Sequence, residues 1–507
     1  MELCLISGGE IHISKLNKTD KIIYFGLFLV AFAVVFNSAY NPLNFRLMHV
    51  DSAAYITISQ GIIRGLLPYR DFADNKGPLL YLFSAPGLFF GGFTGVWITE
   101  IIFMFVSVLF AFKTALFFGD KHKAFLGTVF SFVIFLSFYN IQAGSEEYSM
   151  PFFMISFYIF TKYFFSPKQN TNFAELLILG ICFGLAIMVR LNMFYLWLGF
   201  CMIIFIESII KRRFLELGKY ISGFCLGILI ALIPIFLYLK TNGILDAFFE
   251  QAVFAAAGRG FEVTNLKDIT NHFYIIINRT YCTIPLIFGL FWMIKNYKQT
   301  TFYYYLAYTF TYFIIALFWA FAGAGGDGIH YNMMFIPFFI PALTYVIDLV
   351  YSAFSGIKAK NVIIFILFCI VFSEGLTRYL YDLSKIFHNK TGIELINAGK
   401  LIDENTNPDD TIISFRYVYI YPFTKRNIAS KYFIQGAGAN HIPGAKEEFI
   451  SEILYKKPAI ISIITDEKGG WTYLDDWHTP ILGMIEKEYR LLSKEKGFNI
   501  YKRMEIP

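Results

Sequence analysis

Residues 22–40 read IIYFGLFLVAFAVVFNSAY, an unbroken apolar run near the start of the chain. A helix needs about 17–25 apolar residues to cross a bilayer, so this run is long enough to span one. It exceeds the roughly 7–15 apolar residues of a signal-peptide core, which indicates an uncleaved first span. The stretch therefore predicts a chain that enters a membrane at its first helix.

The composition extends this prediction to most of the chain. Of 507 residues, 56% are hydrophobic, 20% are aromatic and only 16% are charged, whereas a soluble domain averages about 25% charged residues. The 60 Phe and 33 Tyr are too many for one water-surrounded core. The class is therefore a polytopic membrane protein. The net charge of +6 does not indicate a nucleic-acid partner, because Lys and Arg collect in short loops between apolar runs.

The apolar runs predict about eleven transmembrane helices. They lie near residues 22–40, 95–117, 124–141, 150–165, 173–190, 193–210, 217–239, 276–294, 301–321, 331–351 and 361–379. Alternate loops are rich in lysine and arginine, which predicts a cytoplasmic N-terminus and an outside C-terminus. Residues 78–92 are apolar but short, and they contain Pro86 and Gly87. We interpret them as a juxtamembrane segment in the outer interface.

The last part of the chain has a different character. From about residue 381 charged clusters appear, and short apolar runs (Thr411–Phe415, Ala459–Ile464) alternate with helix-like stretches such as Glu447–Tyr455. This pattern predicts a small α/β domain. The expected fold class is an all-α polytopic membrane domain, residues 1–380, with a catalytic first outer loop at 41–94. An extracytoplasmic α/β domain, residues 381–507, follows.

The first outer loop carries the most informative candidate residue, Asp51. It begins a stretch, Ser52 to Leu67, whose apolar spacing is consistent with a helix lying on the membrane. Asp51 is either the N-cap of that helix or a carboxylate exposed to a cleft. The two roles are compatible with each other.

The second outer loop offers two adjacent acids, Glu146 and Glu147. They are either solvated residues at a helix start or partners of Asp51 in one pocket. Two converging carboxylates can divide the work, since one takes a proton while the other orients a hydroxyl.

Four cations complete the candidate set. Lys76, followed by Gly77-Pro78, is either a lysine that reaches to the interface or a contact for a lipid phosphate. Arg190 ends a span, where a charge is costly unless it faces a cavity or a partner. Arg259 is a weaker candidate, and a flexible-loop charge is the better interpretation. His330 follows a glycine-rich stretch and is either a polar span-end residue or a phosphate or sugar contact.

Asp51, Lys76, Glu146 or Glu147, Arg190 and His330 all fall on one side of the predicted topology. Each signal is weak alone, and their shared side predicts one site at the outer membrane surface. The sequence predicts no metal centre, because no cluster of several carboxylates forms an octahedral cage. The six cysteines contain no CxxC and indicate neither a zinc site nor a disulfide framework.

Three motifs resemble the first loop of the C-type polytopic glycosyltransferases. They are Asp51-Ser52-Ala53-Ala54-Tyr55 and Gly65-Leu66-Leu67-Pro68-Tyr69-Arg70-Asp71, followed by Lys76-Gly77-Pro78-Leu79. The chain resembles the bacterial branch related to protein O-mannosyltransferases and to the lipid A aminoarabinose transferase. The Gly184–Arg190 span and the His330–Pro337 span are similar to that branch as well.

The resemblance implies an inverting glycosyltransferase that uses a polyprenyl-phosphate sugar and acts on an extracytoplasmic glycan, lipid or protein. From the residues themselves we expect no cofactor and no obligatory metal ion. The resemblance assigns Asp51 to the catalytic first-loop acid, Glu146 or Glu147 to the second acid, and Lys76 to the lipid phosphate. Tyr55, Arg190, Arg259 and His330 are expected to contact substrate. A transporter or flippase of lipid-linked sugars is the alternative, although such proteins place ionisable groups near mid-membrane, where these spans are nearly uncharged. A non-catalytic scaffold is a third possibility.

Overall fold

The structure is a computed structural model of the full chain. It describes residues 17–44, 48–139, 144–166, 171–255, 257, 266–278, 283–321, 329–356, 360–371, 373–386, 391–435, 439–466 and 470–504. The described part is mainly helical and carries one small sheet near its C-terminal end. The predicted fold class, a helical membrane domain followed by a smaller α/β part, is confirmed.

The helical part runs from residue 18 to residue 386. Its helices, numbered in chain order, are α1 Lys18–Phe36, α2 Val50–Ile63, α3 Leu79–Ala115, α4 Lys121–Phe138, α5 Ser145–Phe165, α6 Phe173–Val189, α7 Tyr195–Ile210, α8 Phe214–Thr241, α9 Leu245–Phe248, α10 Leu266–Asn278, α11 Thr283–Lys295, α12 Phe302–Phe321, α13 Ile336–Ala353, α14 Lys360–Val371 and α15 Ser373–Ile386. A π-helical turn, Phe249–Ala255, follows α9, and a 3₁₀ helix, Ile329–Phe335, precedes α13.

Within the described residues, six helical segments are long and apolar enough to cross a membrane. They are Lys18–Phe36, Leu79–Ala115, Lys121–Phe138, Phe214–Thr241, Phe302–Phe321 and His330–Ala353. Three more apolar helices, α6, α7 and α11, are shorter. These helices agree with predicted spans, and together they establish a membrane protein.

Helix α3 is broken at Gly92, whose φ of 58° and ψ of −143° suit only glycine. A Cβ at Gly87 would lie 2.6 Å from the carbonyl oxygen of Gly95. Residues eight apart in a straight helix are about 12 Å apart along the axis, so the chain bends sharply between them. The segment before Gly92 is thus separate from the span that follows it, as the sequence predicts. Its place relative to the bilayer interface stays a prediction.

The C-terminal part contains a five-stranded mixed sheet. Its elements are α16 Thr391–Glu404, β1 Thr411–Phe415, β2 Asn427–Ile428, α17 Ala445–Lys456, β3 Ile460–Ile464, α18 Thr479–Glu488, β4 Tyr489–Glu495 and β5 Phe498–Arg503. The strand order is β2-β1-β3-β5-β4, with β1 parallel to β2 and β3 and with β5 antiparallel to its two neighbours. The two short apolar runs of the tail are β1 and β3.

The helical part and the C-terminal part share one apolar core. It contains Tyr40, Ala53 and Leu80 from the first loop region and Ile402 and Tyr421 from the C-terminal part. Backbone and side-chain hydrogen bonds reinforce the contact: the Ala73 N–H donates to the Lys431 carbonyl at 2.8 Å. The sheet region is therefore packed directly on the loop that carries Asp51.

Candidate functional site

Helix α2 is capped by His49 and not by Asp51. The backbone of His49 is extended, and its Nδ1 accepts the N–H of Asp51 at 3.2 Å. Burial lowers the pKa of His49, and the carboxylates of Asp51 and Glu146 oppose that shift, so the imidazole is neutral near pH 7 and can accept this bond. The capping interpretation of Asp51 is wrong. Asp51 is the second residue of the helix, and its side chain lines a cavity.

Both faces of helix α2 are buried inside the protein. Even its polar residues Ser52, Thr57 and Ser59 are 0%, 1% and 0% exposed. The helix lies between α3 and the 3₁₀ helix Val418–Phe423 of the C-terminal part. A helix on a membrane surface would keep a solvated polar face. The helix itself is confirmed, ending at Ile63, and protein covers its polar face; its place relative to the bilayer stays a prediction.

The Lys76 loop is anchored on helix α6 through Gly77. The Gly77 N–H donates to the Val189 carbonyl at 3.1 Å, and a Cβ at Gly77 would lie 2.0 Å from the Met188 carbonyl oxygen. Any side chain there would collide with backbone. The absence of a side chain at Gly77 therefore lets α6 approach the loop. This contact holds the loop that carries Lys76 against the end of α6, which Arg190 follows.

The loop before Lys76 is held by a strained tyrosine. Tyr69 has a φ of 66°, which is rare for a bulky residue. Its hydroxyl donates to the Lys76 carbonyl at 2.6 Å, and its own carbonyl accepts the side-chain amide of Gln251 at 2.7 Å. Gln251 lies in the π-helical turn after α9, a conformation often found at functional sites. Gln251 thus holds Tyr69 in place, and Tyr69 in turn holds the Lys76 backbone.

A cavity of about 160 Å³ lies at the junction of these elements. Its polar lining comes from Asp51, Tyr55, Asp74, Lys76 and Tyr331, together with Asn75 and Gln251. The C-terminal part supplies an apolar wall, made of Ile434, Ala439 and Ile442. The cavity therefore combines two carboxylates, one ammonium and two phenols with a small apolar surface.

Among the described residues, Lys76 is the cation that lines this cavity. Its Nζ donates to the side-chain carbonyl of Asn75 at 2.9 Å, and none of the salt bridges among the described residues involves it. An ammonium held by one neutral partner retains its charge for a ligand. Asp74, two residues earlier, is the nearby carboxylate that acts on it electrostatically.

Glu146 and Arg190 form an ion pair behind one cavity wall. The Glu146 carboxylate is 1% exposed and pairs with the Arg190 guanidinium, and it accepts the Ser145 hydroxyl at 2.8 Å. Arg190 also donates to the Tyr331 hydroxyl at 3.1 Å and lies 4.7 Å from the Tyr331 ring centroid. Since Tyr331 lines the cavity, this pair supports the wall from behind.

Glu147 faces a different environment. Its Oε1 accepts the Tyr139 hydroxyl at 3.3 Å. It does not line the cavity, whereas Glu146 is connected to it through Arg190 and Tyr331. Of the two glutamates that the sequence left equivalent, Glu146 is the one in contact with the candidate site.

His330 lies in the 3₁₀ helix before α13. Its ring is 4.2 Å from the ring of Tyr331, and the charges of Glu146, Arg190 and Asp51 all act on it. Its Nδ1 is buried and makes no hydrogen bond within the described part of the chain. The imidazole is therefore placed beside the site with one polar atom unused.

The structure brings most of the predicted residues together. Asp51, Tyr55 and Lys76 line the cavity itself, while Arg190, Glu146 and His330 adjoin it through Tyr331. The charges of Asp51, Glu146 and Arg190 all act on Tyr55. Glu147 lies outside this group. Arg259 lies outside the described residues.

Three cavity residues had no assigned role in the sequence. Asp74 stands in the motif before Lys76, where an acid so close to a candidate cation was a usable signal. Tyr331 follows His330 directly, but tyrosine is too common here to stand out. Gln251 gave no signal, because it reaches the cavity only through the fold. Within the described residues no group of three or more His, Cys, Asp or Glu is placed to hold a metal ion.

Comparison with known proteins identifies the fold. The chain matches ArnT from Cupriavidus metallidurans, crystallised with undecaprenyl phosphate, with a TM-score of 0.61 and 11% identity over 96% of this chain and 98% of that one. The apo form of the same ArnT gives 0.57 and 10% identity over 95% and 97%. The Archaeoglobus fulgidus oligosaccharyltransferase tethered with an acceptor peptide gives 0.51 and 13% identity over 96% and 74%.

These matches show the C-type polytopic glycosyltransferase fold over nearly the whole chain. No protein-family model and no curated protein sequence matches the chain. At 10–13% identity the likeness establishes architecture alone, so the activity must be argued from the cavity.

Proposed function

We propose that the protein is an integral membrane glycosyltransferase that moves a sugar from a polyprenyl-phosphate donor to an acceptor hydroxyl, with inversion. The observation that carries the proposal is that the Asp51 carboxylate and the Lys76 ammonium line the same cavity. The reaction needs a carboxylate near the acceptor hydroxyl, which loses a proton. It also needs a cation near the phosphate, which gains negative charge as it leaves. The fold of a protein crystallised with undecaprenyl phosphate supports the choice of donor.

In the proposed reaction the acceptor hydroxyl binds near Asp51, which orients it toward the anomeric carbon. The acceptor oxygen forms a bond to that carbon while the bond to the phosphate oxygen breaks, and the electron pair leaves with the polyprenyl phosphate. Lys76 stabilises the negative charge that grows on this leaving group. Arg190 contributes mainly by holding Tyr331, because its own charge is balanced by Glu146.

The proposal includes the arrangement of the chain. Residues 1–380 form the transferase domain with the first loop 41–94 as its catalytic part, and residues 381–507 form an extracytoplasmic domain that closes one cavity wall. The cavity then opens on the extracytoplasmic side, where an acceptor of the cell envelope would be found. The sugar is a hexose or a pentose, and His330 and Tyr55 are proposed to contact it or the phosphate.

The test is sugar transfer by purified protein in proteoliposomes that contain labelled undecaprenyl-phosphate mannose or undecaprenyl-phosphate aminoarabinose, with an envelope extract as acceptor. Asp51→Asn should lower the rate at least about 10²-fold, the range of a lost acid–base or positioning group. Asp348→Asn is the matched control, since Asp348 pairs with Lys123 at the other end of the bundle. It should transfer at the wild-type rate.

Equal transfer by Asp51→Asn and the wild type would remove Asp51 from the mechanism. If the wild type transfers neither sugar but moves the labelled lipid between leaflets, the protein is a flippase and the proposal fails.

A further inference from the structure

The cavity contains a second carboxyl group that sequence motifs did not assign. Its lining includes two acids, Asp51 and Asp74. Glu146, the expected second acid, is paired with Arg190, and Glu147 faces Tyr139. A carboxylate already balanced by a guanidinium is a weak proton acceptor, because taking the proton would leave the guanidinium unpaired. Asp74 is therefore the remaining acid placed to share the work with Asp51.

Asp74 is fixed by its backbone while part of its side chain stays unused. Its N–H donates to the Gln251 side-chain carbonyl at 3.3 Å, and its Oδ1 accepts the Asn75 N–H at 2.5 Å. Its Oδ2 is buried, and the nearby donor for the carboxyl group is the Tyr81 hydroxyl. An ionised carboxylate can accept about four hydrogen bonds, so Asp74 keeps acceptor capacity for a substrate hydroxyl or a proton.

The groups around Asp74 affect its pKa and therefore its strength as a general base. Burial raises the pKa of Asp74, the Lys76 ammonium, the Asn75 N–H and the Tyr81 hydroxyl oppose that rise, and the Asp51 carboxylate adds to it. The other titratable groups around it are the phenols of Tyr69, Tyr55 and Tyr81. A carboxylate whose pKa lies above its usual range holds a proton more strongly and makes a better general base at neutral pH.

We propose, on the premise of the transferase reaction above, that Asp74 is the general base and that Asp51 orients the acceptor hydroxyl. The acceptor O–H bond breaks toward the Asp74 carboxylate as the acceptor oxygen bonds to the anomeric carbon. The electron pair of the sugar–phosphate bond leaves with the polyprenyl phosphate. Asp74 then carries the proton until the product departs and water removes it.

Lys76 couples the base to the donor. The Lys76 ammonium by itself helps to keep Asp74 ionised. A donor phosphate bound at Lys76 compensates that positive charge and adds a negative one nearby, so Asp74 holds a proton more strongly once the donor is present. The strength of Asp74 as a base therefore rises when the sugar donor is bound.

The first measurement is proton uptake on binding undecaprenyl phosphate, obtained by titration calorimetry of the detergent-solubilised protein in two buffers of different ionisation enthalpy. The wild type should take up more protons than Asp74→Asn, which still binds the lipid. The matched control is Asp246→Asn, an exposed acid on α9 outside the cavity, which should behave as the wild type does.

The second measurement is sugar release from labelled undecaprenyl-phosphate sugar across pH. Asp74→Asn should lose about 10²–10⁴-fold in rate, and Asp74→Glu should recover part of it because the carboxylate returns. The wild-type rate should fall as the medium is acidified through the pKa of Asp74, and the residual rate of Asp74→Asn should lack that fall. A structural role would not produce this difference in pH profile.

Release by Asp74→Asn within threefold of the wild-type rate, or equal proton uptake by the two proteins, overturns the inference and leaves the transferase proposal intact. A wild type that neither binds undecaprenyl phosphate nor releases sugar overturns the transferase proposal and the inference with it.

Discussion

Helix α5 carries two buried clusters of the same three residue types, and their surroundings differ. Near its start Glu146 pairs with Arg190, which donates to the Tyr331 hydroxyl at 3.1 Å. Near its end the hydroxyl of Tyr163 accepts from Arg213 at 3.2 Å, and Arg213 lies 3.4 Å from Glu207. Positions 146 and 163 are about 25 Å apart at 1.5 Å per residue.

The first cluster adjoins a polar cavity whose lining contains charged groups. Tyr331 lines the space that also contains Asp51, Asp74 and Lys76. In the second cluster Glu207 has an additional cation, Lys211, at 2.6 Å, and the cavity that Tyr163 lines, about 340 Å³, is walled mainly by apolar side chains.

The comparison teaches that a buried Glu–Arg–Tyr cluster does not by itself mark a reactive site. Both clusters satisfy charges that would otherwise be costly inside a helical bundle. What distinguishes the first is the cavity beside it, where charged groups face space that a ligand can fill. The second is best explained as a structural clamp between α5, α7 and α8.

The largest expected difference between the clusters follows from removing one arginine. Arg190→Met leaves the Glu146 carboxylate buried without its cation and should destabilise the protein by about 3–5 kcal/mol. Arg213→Met leaves Glu207 with Lys211 and should cost less. Thermal unfolding in detergent measures both, and adding Glu146→Gln to Arg190→Met should recover much of the loss. Equal losses from the two arginine variants would contradict the comparison.

Removing one hydroxyl from each cluster separates stability from function. Tyr331→Phe and Tyr163→Phe each delete a hydrogen bond from an arginine, worth about 1.5–3 kcal/mol, so their unfolding temperatures should fall similarly. Sugar transfer per folded molecule should fall only in Tyr331→Phe, since only Tyr331 lines the polar cavity. A similar loss of transfer in Tyr163→Phe would show that both clusters serve the reaction.

The smallest expected effect concerns Asp74, and it is a gain. A carboxyl group whose folded pKa is raised by burial loses stability as pH rises from its unfolded pKa to its folded one. Each unit of such a shift corresponds to about 1.4 kcal/mol. Asp74→Asn should therefore unfold at a higher temperature than the wild type at pH 7, and the advantage should shrink toward pH 4. An advantage that is constant across this range would exclude titration of Asp74 as its cause.

Much of the membrane architecture was predictable because bilayer-spanning helices need long apolar runs. Five of the six long apolar helical segments fall on single predicted spans, and the sixth, broken at Gly92, contains one. The strands β1 and β3 follow the two short apolar runs of the tail. Single residues were harder to interpret: of the two roles considered for Asp51, His49 takes the N-cap, and Gly77 packs against the backbone of α6.

By itself the sequence determined a polytopic membrane protein with an α/β tail, and it drew attention to Asp51, Lys76, Arg190 and His330. Hydrophobic length and local motifs carry that information, since they depend on neighbours along the chain. Only the tertiary structure decided that Glu146 balances Arg190 and that Asp74 shares a cavity with Asp51. It also decided that Ile434, Ala439 and Ile442 of the tail form one wall of that cavity. Those relations depend on groups that are distant in sequence and meet only when the helices pack.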